Sequence, residues 1–220
     1  MQAPLSDDNI SVEDSTELLL EARGLECCKN ELVLFRDLEF ALGRGEILQI
    51  DGANGSGKTS LIRILCGLAQ ADPGELRWFG KDIQSHRSEY LQDIVYVAHS
   101  NAIKIDLTPL ENLALVQALC LKTSNRTLEE VLTVFGLLDY ADLPAGNMSS
   151  GQRRRLALAR ILISAARLWV LDEPFTSLDD ASKQVLRNLI IKHVENAGSV
   201  ILTTHETVSW QDCKLKRIEL

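Results

Sequence analysis

A glycine-rich segment constrains this 220-residue chain more than any other feature. Residues 52–59 read Gly-Ala-Asn-Gly-Ser-Gly-Lys-Thr, which fits the pattern GxxxxGK[ST]. A short apolar run precedes the segment and a helical pattern follows it, so the sequence predicts a strand, a loop and a helix in that order. Glycines let the backbone wrap closely around a ligand, and successive N–H groups at a helix N-terminus favour an anion. The segment is therefore predicted to bind phosphate.

The polar side chains of this phosphate loop have distinct predicted roles. Lys58 is expected to reach the β- and γ-phosphates of a nucleotide, and the Thr59 hydroxyl to bind Mg²⁺. A chance glycine-rich turn is the alternative interpretation, and the flanking strand and helix disfavour it. The predicted nucleotide contacts extend from the loop into the helix: Gly52, Ala53, Asn54, Gly55, Ser56, Gly57, Lys58, Thr59 and Ser60.

Two adjacent carboxylates form a second candidate site. Residues 168–171 are apolar at every position, as expected for a central parallel strand, and Asp172 and Glu173 follow directly. Ligand sites of doubly wound sheets lie at such strand ends. Asp172 is predicted to hold Mg²⁺ through water, and Glu173 to polarise an attacking water. Taken alone, the pair is typical of an ordinary strand end; the phosphate loop favours the catalytic interpretation.

A serine- and glycine-containing segment, residues 149–152, precedes three consecutive arginines. Locally it predicts a capped helix, with Ser149 as N-cap and Gln152 three residues later. Three arginines in a row also suggest nucleic acid, but on a helix they point in different directions. A solvated or interface-paired face is therefore the favoured interpretation of the arginines.

The rest of the chain predicts alternating strands and helices. Alternation begins at Leu18, with Leu20 and Ala22 on the same face, and residues 32–40 form a second apolar-rich run, which favours antiparallel strands. Thr108, Pro109 and Glu111 carry the signals of a helix start, and a helical subdomain is predicted over about residues 101–165. A strand–helix–strand unit follows near the C-terminus. We therefore expect an α/β fold with a mixed β core, an antiparallel β subdomain and a helical insert.

Composition and charge narrow the possible functions. Residues 1–17 are polar and acidic, so they are predicted to be a disordered N-terminal extension, with one domain over residues 18–220. A formal net charge of −8 disfavours the cationic surface that nucleic acid requires. The richest apolar run, residues 156–171, contains two arginines, so no membrane span is predicted. The start of the chain lacks the pattern of a secretory signal, which favours the cytosol.

The cysteines show no metal-binding spacing and are odd in number. An adjacent pair is included, and no CxxC or CxxCH pattern occurs. We expect reduced thiols that act as packing residues: Cys27, Cys28, Cys66, Cys120 and Cys213.

The order of these segments resembles the nucleotide-binding domain of ATP-binding-cassette (ABC) ATPases, over residues 18–220. The resemblance implies a P-loop NTPase of the ABC type, with ATP and Mg²⁺ as cofactors. It also implies that the signature loop of one copy caps the γ-phosphate bound in the other copy of a head-to-tail dimer. Asp179 would lie in the dimer-contact loop, and His205 would be the switch histidine. The signature residues would be Ser149, Ser150, Gly151 and Gln152.

More narrowly, the chain resembles the ATP-binding subunits of the bacterial cytochrome c maturation haem exporter, the CcmA family. Ser150 stands where most cassettes have glycine, and His99 where most have the glutamine that links Mg²⁺ to the helical insert. Both departures are familiar in this subfamily, and His99 would contact Mg²⁺ through water. No aromatic residue occurs near Lys29, where an adenine-stacking ring is expected. The closer match is carried by residues 20–23, 33–35, 99, 103–104, 107–108, 110–113, 151–152, 154–160, 171–176, 201–205 and 217–218.

This resemblance implies an ATP-hydrolysing subunit that docks on integral-membrane subunits at the cytoplasmic face of the bacterial inner membrane. The output would be haem translocation or the release of a haem-loaded chaperone. No nucleic-acid partner is expected. The ATPase subunit of an unrelated ABC exporter is an alternative. A non-transport cassette protein is disfavoured by net charge and the single cassette. A nucleotide sensor that barely hydrolyses is disfavoured by Glu173 and His205.

Overall fold

The computed structural model describes residues 18–29, 32–71, 73–206, 208–210 and 213–220. The predicted acidic extension, residues 1–17, lies outside the described residues. The strands are β1 (Leu18–Lys29), β2 (Leu32–Gly43), β3 (Glu46–Asp51), β4 (Glu75–Trp78), β5 (Lys81–Asp82), β6 (Ile94–Val97), β7 (Leu168–Leu171), β8 (Ser199–Thr203) and β9 (Lys214–Glu219). The helices are α1 (Lys58–Leu65), α2 (Arg87–Gln92), α3 (Pro109–Leu119), α4 (Leu128–Val134), α5 (Ser150–Ile163) and α6 (Asp180–Glu195).

The first sheet is antiparallel and has the strand order β2-β1-β4-β5. β1 and β2 form a long hairpin in which Leu20 lies opposite Leu42. Leu20 also lies opposite Trp78 of β4, and all three side chains are buried. The predicted antiparallel pair is therefore present, and β4 extends it because its apolar side chains cover the same face.

The second sheet has the order β6-β7-β8-β3-β9, and every strand pair in it is parallel. Its strands therefore end at one common edge, where parallel α/β sheets place their ligands. The phosphate loop follows β3, the carboxylate pair follows β7, and His205 follows β8. β6 brings His99 to the same edge.

Hydrophobic side chains cover both faces of the parallel sheet. Alternate residues of one strand separate between two core clusters: Ile47 packs with residues of α5 and α6, whereas Leu48 packs with α1 and the antiparallel sheet. All four residues of β7 are buried. The apolar run before the carboxylates thus has the burial that a strand covered on both faces requires.

Two of the helices between β6 and β7, α3 and α5, begin at the predicted polar caps. Thr108 and Glu111 form a capping box at the start of α3, with Pro109 in its first turn. A second box, made by Thr127 and Glu130, starts α4. The helical pattern is interrupted between α3 and α4. Among the described residues, no helix has the length and apolar character needed to cross a bilayer.

The cysteines do not all pack in the core. Cys66 is buried, and burial raises the pKa of its thiol to about 12. Cys28 is exposed, so the expectation that all five are packing residues is wrong there. The reason is that β4 pairs with β1 only over residues 20–23, which leaves the far end of the hairpin uncovered. In the part of the chain that the structure describes, no cluster of three potential metal ligands occurs.

Candidate functional site

The phosphate loop takes a backbone path that only glycine accommodates at two points. Gly57 has φ +111° just before α1, and a Cβ atom there would lie 3.1 Å from the Cβ of Leu34. Gly52 has φ +144°, and its Cβ would lie 2.6 Å from the carbonyl oxygen of Leu220. Side chains at these positions would clash and strain the backbone. The glycines therefore let the loop lie against the end of β3 and enter α1 directly.

Lys58 lies inside the curve of the loop. It is 8% exposed, and its Nζ donates to the carbonyl oxygens of Gly52 at 2.7 Å and Ala53 at 2.8 Å. Within the part of the chain that the structure describes, the buried Ser56 Oγ has no hydrogen-bond partner. A cavity of about 240 Å³ runs along the loop and is also lined by Lys29. The loop thus offers the Lys58 cation next to open space, which suits a phosphate.

Asp172, at the end of β7, is joined to the end of β8 and to the start of α1. It is 3% exposed, and its Oδ1 accepts a hydrogen bond of 2.9 Å from the Thr203 hydroxyl at the end of β8. Its Oδ2 accepts one of 3.4 Å from the Thr59 hydroxyl in α1. Carboxylate and hydroxyl oxygens are ligands that Mg²⁺ prefers. The donor set therefore fits the predicted ion.

Glu173 has a constrained backbone and a carboxylate that faces two histidines. Its φ of +46° is in the left-handed region, which costs a non-glycine residue about 1–3 kcal/mol. Its N–H donates to Thr203 Oγ1 at 2.8 Å. Its Oε1 lies 3.2 Å from His205 Nε2, and its Oε2 lies 3.7 Å from His99 Nδ1. The backbone conformation thus presents the carboxylate to both imidazoles.

A cavity of about 720 Å³ connects these groups, and its wall includes residues from four strand ends. The structure therefore brings together the phosphate loop, both carboxylates and both predicted histidines. Tyr96, which the sequence does not single out, also lines this cavity. Burial is the larger cause, and the charge of Asp172 the next, of the rise in the pKa of Tyr96 to about 12. The lining comprises Asn54, Thr59, Arg63, Leu68, Tyr96, Ala98, His99, Ser100, Asp172, Glu173 and His205.

The serine-glycine segment, residues 149–152, lies elsewhere. Ser149 Oγ accepts from the Gln152 N–H at 3.2 Å, and Gln152 Oε1 accepts from the Ser149 N–H at 2.7 Å, which makes the predicted capping box of α5. None of these four residues is among those that line the two cavities at the phosphate loop. Within one chain, this helix start and the phosphate loop are therefore not brought together.

Asp179 caps another helix. Its Oδ1 accepts from the Ser182 N–H at 2.8 Å at the start of α6. Hydrogen bonds from the side chain and backbone of Ser182 lower the pKa of the Asp179 carboxyl. The ionised carboxylate is therefore the form that this N-cap stabilises.

The three consecutive arginines differ in their surroundings, and the prediction that they share a solvated or interface-paired character is wrong for Arg154. Arg154 is 2% exposed, whereas Arg153 and Arg155 are partly exposed. The second position of the triplet faces the sheet because the helical repeat places it on the buried side of α5. No local signal distinguishes it, because all three arginines belong to the same run.

Comparisons with known proteins identify relatives over most of the chain. The family model described as ABC transporter matches residues 35–176. The cytochrome c biogenesis ATP-binding export protein CcmA of Yersinia pestis is 42% identical over 200 residues, which cover 91% of this chain and 92% of that protein. CcmA of Methylococcus capsulatus is 42% identical over 195 residues, covering 88% of this chain and 94% of the relative.

Solved structures share the fold at lower identity. A putative ABC transporter ATP-binding protein from Pyrococcus furiosus has a TM-score of 0.76 at 23% identity, covering 90% of this chain and 96% of that one. A dimeric post-hydrolysis state of an ATP-binding cassette bound to ADP and Pi has a TM-score of 0.75 at 21% identity, covering 86% and 88%. These similarities establish an ABC ATPase fold.

Replacing Thr203 with Val tests the hydroxyl that joins Asp172 to Glu173. The change keeps the side-chain volume but leaves a buried carboxylate oxygen and a backbone N–H without this partner. We expect the free energy of unfolding to fall by about 1–3 kcal/mol, measured by urea denaturation of the full chain.

Thr203→Ser is the matched control, because it keeps the hydroxyl and loses one methyl group, worth about 0.8 kcal/mol. A valine variant as stable as the wild type, or more stable than the serine variant, would contradict the assignment.

Proposed function

The chain belongs to the CcmA group of the ABC transporter family, and from this membership we propose that it is the ATP-hydrolysing subunit of a membrane transport complex for cytochrome c biogenesis. The observation that carries the proposal is the single cavity where the phosphate loop, Asp172, Glu173 and His205 meet. A phosphate-binding loop beside a carboxylate and an imidazole supplies the parts that ATP hydrolysis needs.

Residues 52–60 are proposed to hold the triphosphate. Lys58 Nζ, which donates to two loop carbonyls, turns to the β- and γ-phosphates when nucleotide binds. The backbone N–H groups at the start of α1 and the Ser56 hydroxyl add neutral donors. Charge-assisted hydrogen bonds to phosphate are stronger than those to carbonyls, so the exchange favours binding.

Thr59 and Asp172 are proposed to position Mg²⁺, Asp172 through water and His99 through a further water. When bound, the ion neutralises charge on the β- and γ-phosphates. The hydrogen bond from Thr203 keeps one Asp172 oxygen oriented, and the other oxygen faces Thr59. The chain thereby presents its oxygen ligands in a fixed direction.

Glu173 is proposed to polarise the attacking water. Its carboxylate accepts a hydrogen bond from that water as the water oxygen forms a bond to the γ-phosphorus and the bond to the ADP oxygen breaks. His205, 3.2 Å from Glu173 Oε1, orients the carboxylate and lies where the γ-phosphate arrives. These two residues are our candidate catalytic groups.

A second copy of the chain is proposed to complete the site. Residues 149–152 carry the signature pattern, yet none of them lines the cavities at the phosphate loop of their own chain. A helix N-terminus attracts anions, so the start of α5 suits the γ-phosphate held by another copy. We infer a head-to-tail dimer closed by ATP, with Asp179 in the contact loop.

The partners proposed for this ATPase are integral-membrane subunits at the cytoplasmic face of the bacterial inner membrane. The similarity to cytochrome c biogenesis export proteins supports this assignment, with haem as the cargo. The same ATPase step serves haem translocation or the release of a haem-loaded chaperone. A pull-down from solubilised membranes tests the proposal: recovery of cytochrome c maturation subunits supports it, whereas recovery of another permease supports an unrelated exporter.

The domain limits remain part of the proposal. We assign residues 18–220 to one ABC ATP-binding domain, residues about 101–165 to its helical subdomain, and residues 1–17 to an acidic extension. The net charge of −8 supports a function without nucleic acid. Lys29 and Leu34, neither of them aromatic, line the cavity beside the loop, and we predict weak discrimination between nucleotide bases.

Lys58→Ala should weaken ATP binding about 10- to 100-fold, because the phosphates lose a charged hydrogen-bond donor. The measurement is equilibrium binding of a fluorescent ATP analogue to the full chain. Lys192→Ala, which removes an exposed lysine of α6, is the matched control and should bind like the wild type. Equal affinity of the Lys58 variant and the control would exclude the phosphate-loop assignment.

Glu173→Gln should keep ATP binding and stop turnover, because the amide has nearly the same shape but polarises water poorly. The protein should then accumulate as an ATP-bound dimer, which size-exclusion chromatography with light scattering detects. Full hydrolysis by a protein that stays monomeric with ATP would show that the composite site is wrong.

His99→Ala should keep ATP binding but lower hydrolysis by the assembled complex, because a water contact beside Glu173 is lost. The expected decrease is about tenfold to a thousandfold, whereas His99→Gln should keep most of the activity. His86→Ala, at an exposed histidine outside the cavity, is the control. Wild-type turnover, coupled as in the wild type to the membrane subunits, in the His99→Ala complex would show that His99 is an ordinary surface residue.

A further inference from the structure

Arg154 connects α5 to two strand ends of the parallel sheet. Its Nη1 donates to the carbonyl oxygen of Ala98 at 2.8 Å and that of His99 at 3.3 Å. Its Nη2 donates to the carbonyl oxygen of Asp172 at 3.1 Å and that of Glu173 at 2.7 Å. One planar guanidinium therefore holds the backbone after β6 and the backbone after β7.

The side chain is a buried cation that binds carbonyls rather than a carboxylate. Across residues 18–220, within the part that the structure describes, no salt bridge of Arg154 is found. Burial lowers the pKa of its guanidinium, and the nearby charges of Asp172 and Glu173 oppose that shift. Because burying a charge is costly, a side chain that only filled space here would not need to be arginine.

The contact at Glu173 fixes the strained residue. The Glu173 N–H is held by Thr203 and its carbonyl oxygen by Arg154. A non-glycine residue keeps a φ of +46° only where its surroundings fix it. These two bonds hold the peptide groups on both sides of the Glu173 Cα, and they thereby set the direction of the carboxylate.

The contact at His99 extends this control to a second functional residue. The carbonyl oxygens of His99 and Glu173 bind the same guanidinium, while their side chains approach to 3.7 Å between Nδ1 and Oε2. A shift of the guanidinium would therefore move both residues. Because the fork is planar and rigid, it defines the separation of the two backbones more closely than a lysine would.

We propose that Arg154 is a positioning residue that fixes Glu173 and His99 relative to α5, so that the state of the α5 N-terminus controls hydrolysis at the chain's own site. This inference rests on the proposed function, in which residues 149–152 contact nucleotide held by a second copy. Arg154 lies one turn into the same helix. Movement of α5 on meeting that nucleotide is thus passed to Glu173 through the Arg154 side chain.

The neighbouring Arg155 supplies a control for Arg154. Arg155 Nη1 donates to the carbonyl oxygen of Phe135 at 2.9 Å, within the helical segment. It shares the helix and the type of bond with Arg154 but touches neither strand end in the hydrogen bonds of the described chain. Arg155→Gln therefore makes the same change of side chain as Arg154→Gln. It frees the carbonyl oxygen of Phe135, whereas Arg154→Gln frees the carbonyl oxygens at the two strand ends.

The experiment measures ATP affinity, kcat, KM and melting temperature for the full-length wild type, Arg154→Gln, Arg154→Lys and Arg155→Gln. We expect both Arg154 variants to bind ATP within about threefold of the wild type and to lose kcat by about 10- to 100-fold, because small misplacement of a catalytic group has effects of that size. KM should change little, and Arg155→Gln should hydrolyse like the wild type.

A second comparison separates positioning from stability. Arg154→Lys should lose kcat at an unchanged melting temperature, because it keeps a buried cation but not the planar fork. Wild-type kcat in a folded Arg154 variant, or a loss of kcat that Arg155→Gln reproduces at equal melting temperature, would overturn the inference. If Arg154→Gln fails to fold, Arg154→Lys decides by the same criteria. Failure of the wild type to hydrolyse ATP would instead contradict the proposed function.

Discussion

The buried carboxylate of Asp172, at the end of β7, is joined to the end of β8 and to the start of α1 through two hydroxyl groups. Thr203 donates to one oxygen and Thr59 to the other. In addition, the Asp172 N–H donates to the carbonyl oxygen of Val97 at 2.9 Å, which joins β6 to the same point. Without these bonds a buried carboxylate would be strongly unfavourable. The site therefore exists only when the parallel strands are in register.

This constraint explains why the site combines rigid and strained parts. The strand ends fix Asp172, and the glycines at positions 52 and 57 let the phosphate loop turn immediately into α1. Glu173, two residues beyond β7, takes a left-handed backbone conformation. The bonds from Thr203 and Arg154 offset the cost of that conformation. The carboxylate therefore faces the cavity without a rearrangement of the sheet.

The sequence predicts those features whose cause is local. The phosphate loop is recognisable because its glycines, lysine and threonine occur at a fixed spacing, and the capping boxes of α3 and α5 because each uses residues three apart. Thr203 and Arg154 were missed because their roles depend on contacts between distant segments. The parallel register offers a signal for Thr203, since Leu171 lies opposite Leu202. No comparable signal singles out Arg154 in its triplet.

The roles of residues 149–152 depend on still more than the fold of one chain. Their local structure is an ordinary capped helix, and only the family resemblance connects them to ATP.

The most direct test of the composite site is a structure of the full chain with Mg²⁺ and a non-hydrolysable ATP analogue. We predict a two-fold dimer in which the γ-phosphate lies between Lys58 and Glu173 of one copy and residues 149–152 of the other. A nucleotide enclosed by one chain alone, or bound away from Lys58, would contradict it.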